Sequence, residues 1–175
     1  DLKTNLIKRD INFIPMTNAG CDFLEIDNRI TCNKKILNNR LKKIDEKLGG
    51  TIIFHLNYIQ AKVDDVFFKE SFLEKIYFYL NKDYNIILIY PIPYIDKNVS
   101  VEVKKNLINK KDKIDFVNID FQRYIQESEN IFSLFDALNH KNLYKVYPHT
   151  KLCNTHLIGK CVGNTQNEIY YVDKL

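Results

Sequence analysis

The sequence predicts a three-layer α/β domain, in which helices cover both faces of a parallel β-sheet. Predicted strands alternate with predicted helices along the chain, which favours parallel pairing. Two of the strands, Thr51–Phe54 and Asn85–Tyr90, are nearly continuous apolar runs, as is typical of strands buried on both faces. The chain has 175 residues, of which 45% are hydrophobic, so it is long enough to fold as one domain with its own core.

The individual elements follow from the spacing of apolar residues and from turn signals. Apolar residues at helical spacing predict helices at 2–10, 33–48, 67–81, 99–109 and 129–139. The second of these begins at Asn33, whose side chain suits an N-cap, and ends at Gly49–Gly50. Short apolar runs predict strands at 11–16, 51–54, 85–90, 143–147 and 168–172, and residues 114–119 are expected to be extended.

The charge pattern argues against nucleic acid as a partner. The net charge is +4, but basic pairs such as Lys34–Lys35 and Lys104–Lys105 lie in separate segments, with acidic residues mixed among them. Only 4 of the 26 basic residues are Arg, the side chain best suited to forked phosphate contacts. We therefore interpret the charges as solvated helix faces.

The sequence shows neither a membrane-spanning segment nor a signal peptide. The longest apolar stretch, Ile86–Pro93, is far shorter than a spanning helix requires. The chain opens on Asp1-Leu2-Lys3, and we expect both of its ends to have been cut from a longer protein.

The four cysteines form two close pairs, Cys21 with Cys32 and Cys153 with Cys161. An even, locally paired set favours disulfides in an oxidising compartment, although four cysteines allow three pairings. The alternative is a zinc site, because two histidines lie among the later cysteines, at positions 149 and 156. Zinc knuckles usually contain a tight C-x-x-C arm, which is absent here, so we favour disulfides.

Candidate functional residues lie where the predicted strands end, because open α/β sheets bind ligands beyond the carboxyl ends of their strands. These segments are 16–21, 55–60, 91–96, 148–150 and Asp173. They contain no glycine-rich phosphate loop, which argues against nucleotide binding. The serines are Ser71, Ser100, Ser128 and Ser133, and none lies in a G-x-S-x-G elbow. The sequence therefore identifies no nucleophile within the chain.

A motif in the C-terminal part of the chain indicates a family. It reads V-Y-P-H-T-K-L-C from Val146 to Cys153, continues to Cys161 and ends in I-Y-Y-V-D from Ile169 to Asp173. This order resembles the SGNH-hydrolase domain fused to membrane acyltransferases that O-acetylate bacterial surface polysaccharides. In that family, a cysteine-containing loop leads to a strand ending in Y-x-D-x-x-H-L-S. Residues 171–175 match the first five positions of this motif, Y-x-D-x-x.

The resemblance implies a flavodoxin-like fold of the SGNH-hydrolase type, with residues 1–175 forming one truncated domain that is incomplete at both ends. It also implies acyl transfer or ester hydrolysis by a Ser-His-Asp mechanism that needs no cofactor. The nucleophilic Ser is expected a few residues before Asp1, and the catalytic His directly after Leu175. Asp173 would orient that His, Asn57 would donate to the oxyanion, and Gly20 is a weaker oxyanion candidate.

The same resemblance implies a cellular setting. The domain would lie at the periplasmic face of the bacterial inner membrane, with an N-terminal transmembrane acyltransferase domain as its partner. Its substrate would be an acetylated or acceptor glycan, such as lipopolysaccharide, peptidoglycan or exopolysaccharide. The four cysteines would then form two local disulfides, Cys21–Cys32 and Cys153–Cys161.

Two other functions fit the residues. A non-catalytic α/β module could bind glycan or scaffold a membrane protein, and it would need neither a G-D-S before Asp1 nor an H-L-S after Leu175. A cytosolic zinc-bearing domain would instead keep four free thiols and bind a metal.

Overall fold

The computed structural model describes Lys42 and residues 49–55, 66–109 and 115–170. The helices and strands of these residues alternate along the chain. In order they are β1 (Gly50–Phe54), α1 (Val66–Leu80), β2 (Tyr84–Ile89), α2 (Val99–Ile108), β3 (Asn118–Asp120), α3 (Phe121–Asp136), β4 (Leu143–Val146), α4 (His149–Leu152) and β5 (Lys160–Val162). The elements predicted at 2–10 and 11–16 lie outside the described residues, as does all of the predicted helix at 33–48 except Lys42.

Strands β1, β2 and β4 form a parallel sheet in the order β1-β2-β4. In its register, Ile52 lies opposite Ile86, and Ile86 lies opposite Leu143. The predicted α/β fold class with a parallel sheet is therefore confirmed. The connection from β1 to β2 contains α1, and that from β2 to β4 contains α2, β3 and α3, since parallel strands need a long crossover, which is usually helical.

Helices α1 and α3 pack together on one face of this sheet. Ile86 and Leu88 of β2 are fully buried beneath them. The rings of Phe72 on α1 and Phe135 on α3 stack with their centroids 5.3 Å apart. The main core of the described residues is thus an aromatic layer between two helices and the sheet.

The opposite face of the sheet is less covered than its apolar sequence predicts. Ile53 of β1 is 46% exposed, and Ile87 and Ile89 of β2 are half-buried. Burial on both faces therefore does not hold for the described sheet. An apolar run shows that a strand can be covered on both sides, but not how completely each side is covered.

A second, smaller sheet was not predicted. Strands β3 and β5 pair antiparallel, with Ile119 opposite Cys161. They pack with α2 around a core that includes Val99 and Tyr124. The expectation of extended chain near 114–119 agrees with β3, but β5 was missed, since a strand of three residues is too short to show a period.

Helix α3 begins at Phe121, well before the start predicted at Glu129. Asp120 caps it, because its carboxylate accepts hydrogen bonds from the amides of Gln122 and Arg123 at 2.9 and 3.3 Å. The bond from the Arg123 amide, followed by one from Lys160, lowers the pKa of the Asp120 carboxyl. The cap could have been found in the sequence, since Asp is a preferred N-cap residue.

Candidate active site at the carboxyl edge of the sheet

The three parallel strands end at one edge of the sheet. Phe54 of β1 lies opposite Leu88 of β2, and Ile89 of β2 lies opposite Val146 of β4. The next residues along the chain are His55, Tyr90 and Tyr147. We call these three residues, with His149 at the start of α4, the rim. An open α/β sheet binds its ligands at such an edge.

Tyr90 is the buried centre of the rim. It is fully buried, and its hydroxyl donates a hydrogen bond of 2.5 Å to Asp136 at the end of α3. The Tyr147 hydroxyl lies 3.5 Å from that of Tyr90, to which it donates. Burial, and then the bond to Asp136, raise the pKa of Tyr90 far above its usual range. Tyr90 therefore stays protonated and joins the end of β2 to the end of α3.

His149 lies in an aromatic cage beside Tyr90. Its ring centroid is 5.4 Å from that of Phe132, 5.8 Å from Tyr124 and 6.0 Å from Tyr147. Its Nδ1 atom is buried and has no hydrogen-bond partner within the described part of the chain. Burial lowers the pKa of His149, so the neutral imidazole is favoured in the folded state.

His149 should make the stability of the fold depend on pH. The unfolded chain binds a proton near its ordinary pKa of 6.5, whereas the folded chain resists it. The contribution of the neutral His149 to the free energy of unfolding is therefore fully present above this value and is lost as the pH falls below it. We expect the melting temperature of His149→Phe, relative to wild type, to rise as the pH is lowered from about 8 to about 5. A constant difference across this range would contradict the prediction.

His55 directly follows the last residue of β1 and is exposed. Partial burial of its imidazole nevertheless lowers the pKa of His55. The side chain is therefore placed at the rim, where a neutral imidazole could contact a bound ligand.

Cys153 and Cys161 are joined by a disulfide that closes a short loop between α4 and β5. This loop, 153–161, is called the disulfide loop below. Of the two expected disulfides, this one is present. Because its two sulfurs are bonded to each other, they cannot serve as the thiolates of the alternative zinc site with His149 and His156.

A family model described as the SGNH domain (fused to AT3 domains) matches residues 2–174. The chain belongs to this family. It is therefore a module of the hydrolase or acyltransferase type, and its partner is a membrane acyltransferase domain. No curated protein and no solved structure was found to match the chain.

Within the SGNH domain, most of the predicted site residues lie outside the described part. These are Gly20, Asn57 and Asp173, together with the cysteines of the other expected pair, Cys21 and Cys32. Their roles stay predictions. The described helices include none that is long and apolar enough to cross a bilayer.

A hairpin follows β5 in the SGNH domain and leads toward Asp173. We call residues 163–170 the approach hairpin. Asn164 at its start is fully buried, and its Oδ1 accepts a hydrogen bond of 2.8 Å from the amide of Val117. Its Nδ2 donates to the carbonyl oxygens of Asp115 and Thr165 at 3.3 and 3.1 Å. Asn164 was missed in the sequence, because a lone Asn near a turn shows no sign of burial.

Gly163 allows the approach hairpin to lie close to α2. A Cβ atom at this position would be 2.7 Å from Cγ2 of Val99 and 2.8 Å from Cδ1 of Ile95. The lack of a side chain thus permits the contact, and the Gly163 amide donates to the carbonyl of Val117 at 2.7 Å. The start of the approach hairpin therefore packs closely against the core formed by α2, β3 and β5.

Proposed function

We propose that this SGNH domain transfers or removes acetyl groups on a cell-surface glycan through a Ser-His-Asp mechanism. The observation that carries the proposal is the family match over residues 2–174. The parallel sheet supports it, because three of its strand ends lie at one edge, as required to bring distant residues into one site.

The reaction would proceed through an acyl-serine. The Ser hydroxyl attacks the acyl carbonyl while the His takes its proton, and the tetrahedral intermediate collapses as the first alcohol leaves with that proton. A sugar hydroxyl or water then attacks the acyl-serine, and the Ser recovers its proton. Ser and His would be supplied by residues flanking Asp1 and Leu175, as the resemblance implies.

Two residues of the chain would assist this reaction directly. Asp173 would accept a hydrogen bond from the imidazole, hold it in the useful tautomer and stabilise the imidazolium. The Asn57 side chain would donate to the oxyanion, with the Gly20 amide as a weaker second donor. Asn57 follows strand β1 by three residues, which puts it in the chain segment just after the rim residue His55.

The cellular setting of the proposal is the periplasmic face of the bacterial inner membrane. The Cys153–Cys161 disulfide supports it, because such bonds persist in oxidising compartments. The N-terminal membrane acyltransferase domain would supply the acyl group, and the SGNH domain would pass it to lipopolysaccharide, peptidoglycan or exopolysaccharide.

The proposal is tested by hydrolysis of p-nitrophenyl acetate with the full-length protein. We expect Asn57→Ala to lower kcat roughly 10²- to 10³-fold, since it removes one donor to the oxyanion. Asn81→Ala is the matched control, because Asn81 follows α1 at the opposite edge of the sheet. A full-length protein that binds glycan but hydrolyses no ester would favour the non-catalytic glycan-binding module instead.

A further inference from the structure

Tyr147 is the rim tyrosine that is open to solvent. It is 38% exposed, whereas Tyr90 is fully buried. The Tyr147 ring packs on the ring of Tyr90, with their centroids 4.2 Å apart and an angle of 39° between the ring planes. It also lies at a right angle to the His149 imidazole, with 6.0 Å between the centroids. One part of Tyr147 is therefore packed against these rings, and another part faces solvent.

The Tyr147 hydroxyl is held as well. It donates a long hydrogen bond of 3.5 Å to the hydroxyl of Tyr90, which donates its own proton to Asp136. Because a phenol has one proton to donate, the Tyr90 oxygen acts toward Tyr147 as an acceptor. The packing of the ring and the bond of the hydroxyl together favour one orientation of the Tyr147 side chain.

The backbone of Tyr147 lies in a hydrogen-bonded turn between β4 and α4. Its carbonyl oxygen accepts from the amide and the hydroxyl of Thr150, at 3.2 and 2.7 Å. The carbonyl oxygen of His149 accepts at 2.8 Å from the amide of Cys153, the residue at which the disulfide loop begins. An exposed aromatic ring fixed in this way loses little conformational entropy when a ligand binds, which favours affinity.

The rings that Tyr147 contacts are uncharged at neutral pH. Burial raises the pKa of Tyr90 and lowers the pKa of His149, so the phenol keeps its proton and the neutral imidazole is favoured. Such a surface suits a neutral ligand that carries both apolar and hydrogen-bonding groups. A sugar ring is a ligand of this kind, because its C–H groups form apolar patches and its hydroxyls donate and accept hydrogen bonds.

We propose that Tyr147 is a specificity-determining residue, whose ring binds a sugar ring of the glycan substrate at the carboxyl edge of the sheet. This role rests on the proposed function, which supplies the glycan. Tyr147 directly follows β4 at this edge, where open α/β sheets bind their ligands. His55 follows β1 at the same edge, and β1 and β4 lie on either side of β2, about 10 Å apart. A ligand that lies across the end of β2 therefore meets Tyr147 on its β4 side.

The full-length protein, with p-nitrophenyl acetate as acyl donor, allows the sugar contact to be measured separately from formation of the acyl-serine. Once formed, the acyl-serine passes its acetyl group either to water or to a sugar hydroxyl. Lipopolysaccharide, peptidoglycan and exopolysaccharide are supplied in turn at increasing concentration, and acetylated glycan and free acetate are both measured. The glycan concentration at which half of the acetyl groups reach the glycan is a property of the acyl-serine, so it does not depend on how much of a variant is folded.

We expect Tyr147→Ala to raise this glycan concentration about 5- to 20-fold, because it removes the ring that the sugar contacts. Tyr147→Leu keeps apolar bulk against Tyr90 but lacks a flat ring, and should raise the concentration as well. Tyr147→Phe keeps the ring and should stay within about threefold of the wild type, since the long bond of the hydroxyl contributes little. The control is Tyr144→Ala, because Tyr144 is 53% exposed earlier on β4 and should keep the wild-type value.

Three results would contradict the sugar contact, and they are distinguishable. A wild-type value in both Tyr147→Ala and Tyr147→Leu would overturn this inference alone. If the wild type released p-nitrophenol but acetylated none of the three glycans, the inference would fail while the Ser-His-Asp chemistry stood. If the wild type released no p-nitrophenol above the background rate, the proposed function would fail together with the inference.

Discussion

Asp173→Asn in the full-length protein is expected to lower kcat for p-nitrophenyl acetate by about 10⁴, with KM nearly unchanged. In the proposed Ser-His-Asp mechanism, this carboxylate sets the tautomer of the catalytic His. An amide in place of the carboxylate can hold the imidazole with the wrong nitrogen protonated, so that it cannot take the serine proton. It also removes the negative charge that stabilises the imidazolium. Steady-state kinetics over a range of substrate concentrations separate kcat from KM.

Asp83→Asn is the matched control for this substitution. Asp83 lies in the turn between α1 and β2, at the edge of the sheet opposite the rim, and has a φ of 59°. Asn tolerates this left-handed conformation as Asp does, so the variant should fold and turn over as the wild type. An Asp173→Asn protein as active as Asp83→Asn would exclude Asp173 from the triad.

Phe135→Ala should strongly destabilise the main core, lowering the free energy of unfolding by about 3–5 kcal/mol. The Phe135 side chain is fully buried. Its ring stacks on Phe72 at 5.3 Å and meets the ring of Tyr90 edge-on at 5.2 Å. Its loss leaves a cavity between α1, α3 and the sheet that these rigid rings cannot fill. Urea unfolding followed by circular dichroism measures the change.

Phe78→Ala provides the comparison for Phe135→Ala. Phe78 lies on α1 and is 41% exposed, with the ammonium group of Lys82 4.2 Å from its ring centroid. Its truncation should cost less than about 1 kcal/mol. If the two substitutions were equally destabilising, the assignment of the core to the α1–α3 side of the sheet would be wrong.

The parallel sheet could be predicted because its strands and the helix between them each have a recognisable pattern of apolar residues within a short stretch of sequence. Strands β1 and β2 are short apolar runs, and α1 between them repeats apolar residues at helical spacing. A short apolar run bounded by turn signals is consistent with a buried strand, and α1 is long enough for its helical period to be seen. By contrast, β3 and β5 pair Ile119 with Cys161, and a contact between residues so far apart leaves no pattern in either three-residue segment.

Only those residues of the candidate site that closely follow a predicted strand could be predicted from the sequence. His55 and His149 lie in the candidate segments 55–60 and 148–150, which follow from the predicted ends of β1 and β4. Tyr147 was instead predicted as the last residue of its strand, which the structure ends at Val146. The aromatic cage of His149 could not be predicted, because it combines α3 with the end of β4.

The hydrogen bond between Tyr90 and Asp136 should respond differently to salt and to alkaline pH than the ion pairs on the surface do. Exposed ion pairs, such as that of Lys160 with Asp120, weaken as salt is added. The phenol of Tyr90 is fully enclosed and keeps its proton well into alkaline conditions. The hydrogen bond that links the central strand β2 to helix α3 should therefore persist both at high salt concentration and at mildly alkaline pH.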